Sequence, residues 1–168
     1  MTTATNSRVI VGVDDSLSGL RALRFAVAEA RRRDAVLHAI RVAPSGTPTG
    51  GAYLQRQLRR DAAEKLADSF AAAFGGFPRD LEIQALTIDG DAGQVLVEYA
   101  DRDGDLLVVG SGQRPWWRRL SGRSTSRYCF THASCPLLVV PTDAFAREAG
   151  RGRMTRALMR DLASFSTR

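Results

Sequence analysis

The sequence predicts an α/β fold: a five-stranded parallel open sheet in the order 3-2-1-4-5, with helices on both faces in a Rossmann-like arrangement. Three observations predict it. Short apolar runs such as Val9-Ile-Val-Gly-Val13, Leu106-Leu-Val-Val109 and Leu137-Leu-Val-Val140 end in glycine, proline or acids, the pattern of strands buried on both faces. Stretches with apolar residues at helical spacing lie between them. The resulting β-α-β-α-β-α-β-α-β order implies a parallel sheet with right-handed crossovers. Finally, glycines, acids and hydroxyls follow the first and fourth strands directly, where the strand order of such a sheet reverses and ligands bind.

Taken in order, residues 1–7 are polar and read as a disordered leader. Arg8–Val13 is the first strand. Asp14-Asp15-Ser16 then offers side-chain oxygens to the free N–H groups of a helix running to about Arg33, with Leu20, Leu23, Val27 and Ala30 on its apolar face. Val36–Val42 is the second strand, and residues 43–52, rich in Pro, Gly, Ser and Thr, read as a flexible loop. Tyr53–Phe74 is a long helix with Leu54, Leu58, Ala62, Leu66 and Phe70 near one stripe, ended by Gly75-Gly76-Phe77-Pro78. Leu81–Ile88 alternates apolar and polar residues, which suits an edge strand with one wetter face. A helix over about Gly93–Arg102, the strand Leu106–Val109, a helix over Arg123–His132 and the strand Leu137–Val140 complete the domain at residues 8–141. Asp14 and Gly110 are thereby expected in one crevice. The extension 142–168 begins with a linker and continues as a short helix, Arg153–Phe165, with Met154, Leu158 and Leu162 on one stripe.

Composition narrows the function classes. A hydrophobic fraction of 44% suffices for a core. Cys129 and Cys135 are the only cysteines, so neither a disulfide framework nor a metal pattern follows, and the default compartment is the reducing cytosol. There is no signal-peptide pattern and no 18-residue apolar run, so a membrane role is not expected. The net charge of +6 is uneven: residues 110–135 hold five arginines and no acid, and 142–168 hold six arginines against three acids. No nucleic-acid reader motif accompanies this charge, so nucleic-acid binding is not expected either. Of Trp116 and Trp117, beside Arg118 and Arg119, either one ring closes over the core and the other is exposed, or both form a hot spot for a protein partner or a base-stacking surface.

Catalysis is not expected. His38 falls within a strand and reads as a core or sheet-edge histidine. His132 ends a helix, where its charge suits the dipole. Neither has an evident nucleophile beside it in the sequence. Both cysteines read as buried structural thiols.

Three stretches together resemble the universal stress protein family: Val9-Ile-Val-Gly-Val-Asp-Asp-Ser16, Asp105-Leu-Leu-Val-Val-Gly-Ser111 and His132-Ala-Ser-Cys-Pro-Leu-Leu-Val-Val-Pro141. The resemblance covers about residues 8–141. It implies an adenine-nucleotide alpha hydrolase type of fold, a cytoplasmic role in stress physiology, and a homodimer joined through the fifth strand. It also implies a site for ATP or AMP, with Mg²⁺ entering only with the nucleotide. Carried over by position, Gly12, Asp14 and Ala39 fall where the family meets base and ribose. Val109, Gly110, Ser124 and Thr125 fall where it meets ribose and phosphates. Nucleotide-binding members carry Gly-x-x-Gly, nine residues, then Gly-(Ser/Thr). Here Gly110 and Ser124 match, but Gln113 and Arg123 stand where two glycines belong, with Gly112 and Gly122 each one place early. Arg123 either fills the phosphate site or holds an anion in it through its planar fork. Two functions stay open: a nucleotide-responsive module with a degenerate loop, and a nucleotide-free scaffold that binds a protein partner through the Trp-Arg loop and basic tail.

Overall fold

The computed structural model describes residues 7–45, 51–112 and 124–141. Residues 1–6 of the expected leader, residues 46–50 of the 43–52 loop, Gln113, Trp116, Trp117, Arg118, Arg119, Arg123 and the 142–168 extension lie outside the described residues. Nine elements alternate: β1 (Arg8–Gly12), α1 (Leu17–Arg33), β2 (Val36–Ala43), α2 (Gly51–Phe74), β3 (Ile83–Asp89), α3 (Ala92–Tyr99), β4 (Leu106–Gly110), α4 (Thr125–His132) and β5 (Leu137–Val140). The sheet order is β3-β2-β1-β4-β5, as the sequence predicts, and every pairing is parallel.

Alternation along the strands feeds two cores. Val9, Val11, Leu37, Ala39 and Val108 pack against Ala22, Leu23, Ala26 and Val27 of α1 and Leu66 and Phe70 of α2. Ile10, Ile40, Leu107 and Val109 pack on the other face against Leu96 of α3 and Cys129 of α4. β1 and β4 are buried on both faces, hence their unbroken apolar sequence. α2 buries only Ala62, Leu66 and Phe70, a stripe one residue wide at four-residue spacing.

Element ends depart from expectation for local reasons. β1 stops at Gly12 rather than Val13, although Val13 N still donates to Ile40 O at 2.9 Å. α2 starts at Gly51, whose φ of 63° only glycine adopts freely. β3 is shifted to Ile83–Asp89. α3 ends at Tyr99, not Arg102, because a buried polar cluster takes over there. Arg8 Nη2 donates to the Tyr99 carbonyl at 3.2 Å, while Arg8 Nε and Nη2 grip Asp105 at 2.8 and 2.6 Å. The chain after α3 then winds round Asp105, whose Oδ2 accepts from the Arg102 amide at 3.0 Å.

His38 lies in the same region, 6% exposed, with its Nδ1 2.7 Å from the Tyr99 hydroxyl. Burial, followed by the nearby Arg8 charge, pushes its pKa below the ordinary histidine value, and Asp105 opposes this only partly. The unfolded chain therefore binds the proton more readily than the native one. Stability associated with His38 is complete above the unfolded value of about 6.5 and declines as pH falls towards the depressed native value. Urea melts of wild type and His38→Gln between pH 5 and 8 should diverge at the acid end, with the wild type losing stability more steeply. Parallel curves would contradict this placement of the proton.

Candidate functional site

A cleft of about 280 Å³ opens at the carboxyl edge of the sheet, between β1, β2 and β4 and the starts of α1, α3 and α4. Gly12, Asp14, Val109, Gly110, Ser124 and Thr125 line it together, so Asp14 and Gly110 share a crevice. Ala39 does not. It is fully buried in the core against α1 and α2, and its neighbours Ile40, Arg41 and Val42 line the cleft instead. Arg123 lies outside the described residues. The sequence reading also missed Ala92 and Leu96 of α3, and Ser111, Gly112 and Ser126. Strand alternation was the available signal for the first error, since residues 39 and 40 must face opposite sides of the sheet.

Two glycines are fixed by packing. A Cβ on Gly110 would stand 2.7 Å from the Ser18 carbonyl carbon and 2.9 Å from Gly19 N, so the start of α1 rests directly on the end of β4. A Cβ on Gly12 would meet Leu96 Cδ1 at 2.6 Å, where α3 closes the apolar floor. Gly112 has a φ of 68° and open space around it. Gly112 thus takes a left-handed conformation just after β4, which glycine adopts at no steric cost.

The two helix starts that meet the cleft from either side of β1 and β4 are chemically opposite. At α1 the N-cap is Ser16, whose Oγ accepts from Gly19 N at 2.9 Å. Asp14 Oδ1 in turn accepts from the Ser16 amide at 3.1 Å and its hydroxyl at 2.5 Å. This end is closed by its own side chains and presents an exposed carboxylate. At α4 the N-cap Ser124 makes no capping hydrogen bond, and the first turn holds no acid. Ser124 Oγ lies 2.9 Å from Ser126 Oγ instead, and Thr125 stands between them. Free amide N–H groups and hydroxyls at a helix start form a site for an anion. α3, the third helix start nearby, is closed by Asp91, which accepts from Gly93 N and Gln94 N. The cleft thus offers an apolar floor of Ile40, Val42, Leu96 and Val109, a hydroxyl-binding carboxylate on one side and an anion-binding helix end on the other.

Other titratable groups stand apart from this chemistry. Cys129 is buried and its thiol is pushed up to about 11 by that burial. Cys135 is half-buried and raised in the same direction for the same reason. Among the described residues no group of three or more His, Cys, Asp or Glu is arranged to hold a metal ion, and no helix is long and apolar enough to cross a membrane.

Comparison with known proteins converges on one family. The model of the universal stress protein family matches residues 5–141. A universal stress protein of Synechocystis sp. is 38% identical over 64 residues, which is 38% of this chain and 59% of that protein. The match therefore spans somewhat over half of that relative's length. A crystal structure of a universal stress protein in complex with cAMP superposes with a TM-score of 0.59 at 25% identity, covering 82% of this chain and 98% of that one. A universal stress protein family protein from Arabidopsis thaliana with AMP bound gives a TM-score of 0.51 at 20% identity, over 82% and 93% of the two chains.

Proposed function

Since this chain belongs to the universal stress protein family, we propose that it is a stress-response protein whose cleft binds an adenine nucleotide, with the base on the apolar floor, the ribose at Asp14 and the phosphate at the start of α4. The observation that carries this reading is the contrast between the two helix starts: α1 is closed by Ser16 and bears a carboxylate, while α4 has no side-chain cap among the described residues and bears hydroxyls. A carboxylate accepts from ribose hydroxyls and repels phosphate, and the α4 amides do the reverse. One orientation of a nucleotide satisfies both. The cAMP and AMP complexes of the related proteins support the ligand class.

Gly12 and Gly110 serve by letting Leu96 and the start of α1 pack against the strand ends that line the cleft, Val109 as part of the apolar floor, Ser124 and Thr125 by donating to the phosphate, and Arg123 by adding charge. Mg²⁺ would enter only with a nucleotide that carries it. The protein acts as a cytoplasmic regulatory module without enzymatic turnover. It pairs with a second copy along β5, the edge strand of the sheet, where Val139 is exposed and Phe130 of the adjacent α4 is 78% exposed.

Calorimetry with AMP, cAMP and ATP tests the reading. Micromolar binding of at least one is expected, and Asp14→Ala should weaken it by about tenfold or more, the scale of a lost charge-assisted hydrogen bond. An absence of heat at millimolar nucleotide would overturn the reading in favour of the protein-partner scaffold, with Trp116, Trp117, Arg118 and Arg119 as its contact.

A further inference from the structure

Arg41 has no assigned part in the nucleotide site, yet its connections run to the middle of it. It lies near the end of β2, is 8% exposed and lines the cleft. Its Nη2 donates to Asp15 Oδ2 at 2.7 Å, and Lys65 Nζ of α2 stands 3.6 Å from the same oxygen. Asp15 is the central residue of the turn Asp14-Asp15-Ser16 that carries the Asp14 carboxylate into the cleft. One ion pair therefore ties the turn on the β1 wall to the β2 wall, across 26 residues of sequence.

The pair is poorly explained as a device for stability. Arg41 Nη1 is buried with no hydrogen-bond partner among the described residues, and a buried donor left unpaired is a net cost to folding. The Asp15 side chain is 62% exposed, so the carboxylate would regain water if the arginine were removed. The Arg41 hydrogen bond is also the leading cause holding the Asp15 carboxyl below its ordinary pKa, against the opposing effect of burial.

We infer that Arg41 is a positioning residue for the nucleotide site: through Asp15 it fixes where the Asp14 carboxylate stands, and so sets affinity for the ribose hydroxyls in particular. This rests on the nucleotide reading above. It requires that Arg41 matter for the sugar and not for the rest of the ligand.

The test is a comparison of two ligands, AMP and 2′,3′-dideoxy-AMP, by calorimetry on the full chain. Arg41→Met should weaken AMP roughly tenfold, the scale of a coupled pair, while leaving the dideoxynucleotide within about twofold of wild type. Arg41→Lys, which keeps the charge, should recover part of the AMP affinity. Asp15→Asn should weaken AMP selectively in the same way, and it carries the test should Arg41→Met not fold. An unchanged AMP affinity in Arg41→Met and Asp15→Asn, or equal losses for both ligands, would overturn the inference while leaving the nucleotide reading in place. A wild-type protein that binds neither ligand would overturn both.

Discussion

Replacing Asp105 by alanine should lower the stability of the protein by about 3–5 kcal/mol, the cost of breaking a buried ion pair from one side. The Asp105 side chain is fully buried and that of Arg8 is 7% exposed, with two hydrogen bonds between them. Asp101 Oδ1, at 3.2 Å from Arg8 Nη2, is largely exposed and cannot replace it. The truncation leaves a guanidinium in the interior next to the Tyr99 ring, 5.3 Å away, and frees the Arg102 amide. The melting temperature should fall on the order of 10 °C in thermal denaturation. Acid should act in the same direction. Burial is the largest single influence and raises the Asp105 carboxyl, but the Arg8 hydrogen bonds, the Arg102 amide and the Arg8 and Arg102 charges together outweigh it and hold the native value below the ordinary aspartate value. Stability from this pair is therefore present above the unfolded aspartate value and is lost as pH falls through the depressed native one. A loss below about 1 kcal/mol for Asp105→Ala would mean that the cluster is hydrated or rearranged.

The second large effect lies at the junction of fold and site. Gly110→Ala places a methyl 2.7–2.9 Å from the Ser18 carbonyl and Gly19 amide. These are backbone atoms at the start of a helix, so no rotamer change relieves the overlap, and α1 must move off β4. Overpacking of this kind costs about 1–3 kcal/mol. The same movement displaces Asp14, since its Oδ1 lies 2.0 Å from where a Gly19 Cβ would be, so the carboxylate rests on that helix end. Gly110→Ala should thus lose stability and AMP affinity together. Gly12→Ala meets only the end of the Leu96 side chain, which can rotate, and should cost less of both. Equal effects of the two substitutions in urea melts would contradict the distinction between backbone and side-chain contact.

The sheet was legible in the sequence because β1, β2 and β4 are short buried apolar runs alternating with helical stretches, and its switch point is marked by the glycines and acids after β1 and β4. The placement of Gly12, Asp14, Val109, Gly110, Ser124 and Thr125 around one cleft was legible from the order of elements: the first four end or follow a strand at the carboxyl edge, and Ser124 and Thr125 start the helix that comes after β4. What was not legible depends on partners distant in the chain. The end of α3 is set by Arg8, 91 residues away, so helical periodicity alone overran it. The tie between Arg41 and Asp15 has no local signature. The glycine at 110 reads as a ligand requirement, yet the contact that forbids a side chain there is with Ser18 of the protein itself. Ala39 is a family position carried onto a strand, and its side chain faces the α1 and α2 core while Ile40 faces the cleft. Gln113 and Arg123, which stand where the resemblance places glycines, lie outside the described residues, and the left-handed residue described after β4 is Gly112.

The central claim is that one nucleotide spans the cleft from the Asp14 turn to the start of α4. The most direct measurement is an amide chemical-shift titration of the isotopically labelled protein with AMP. Saturable shifts are expected at Gly12, Asp14, Val109–Gly112 and Ser124–Ser126, with the amides of α2 and of the Arg8–Asp105 cluster unmoved. Shifts confined to β5 and the outer face of α4, or none at millimolar AMP, would contradict it.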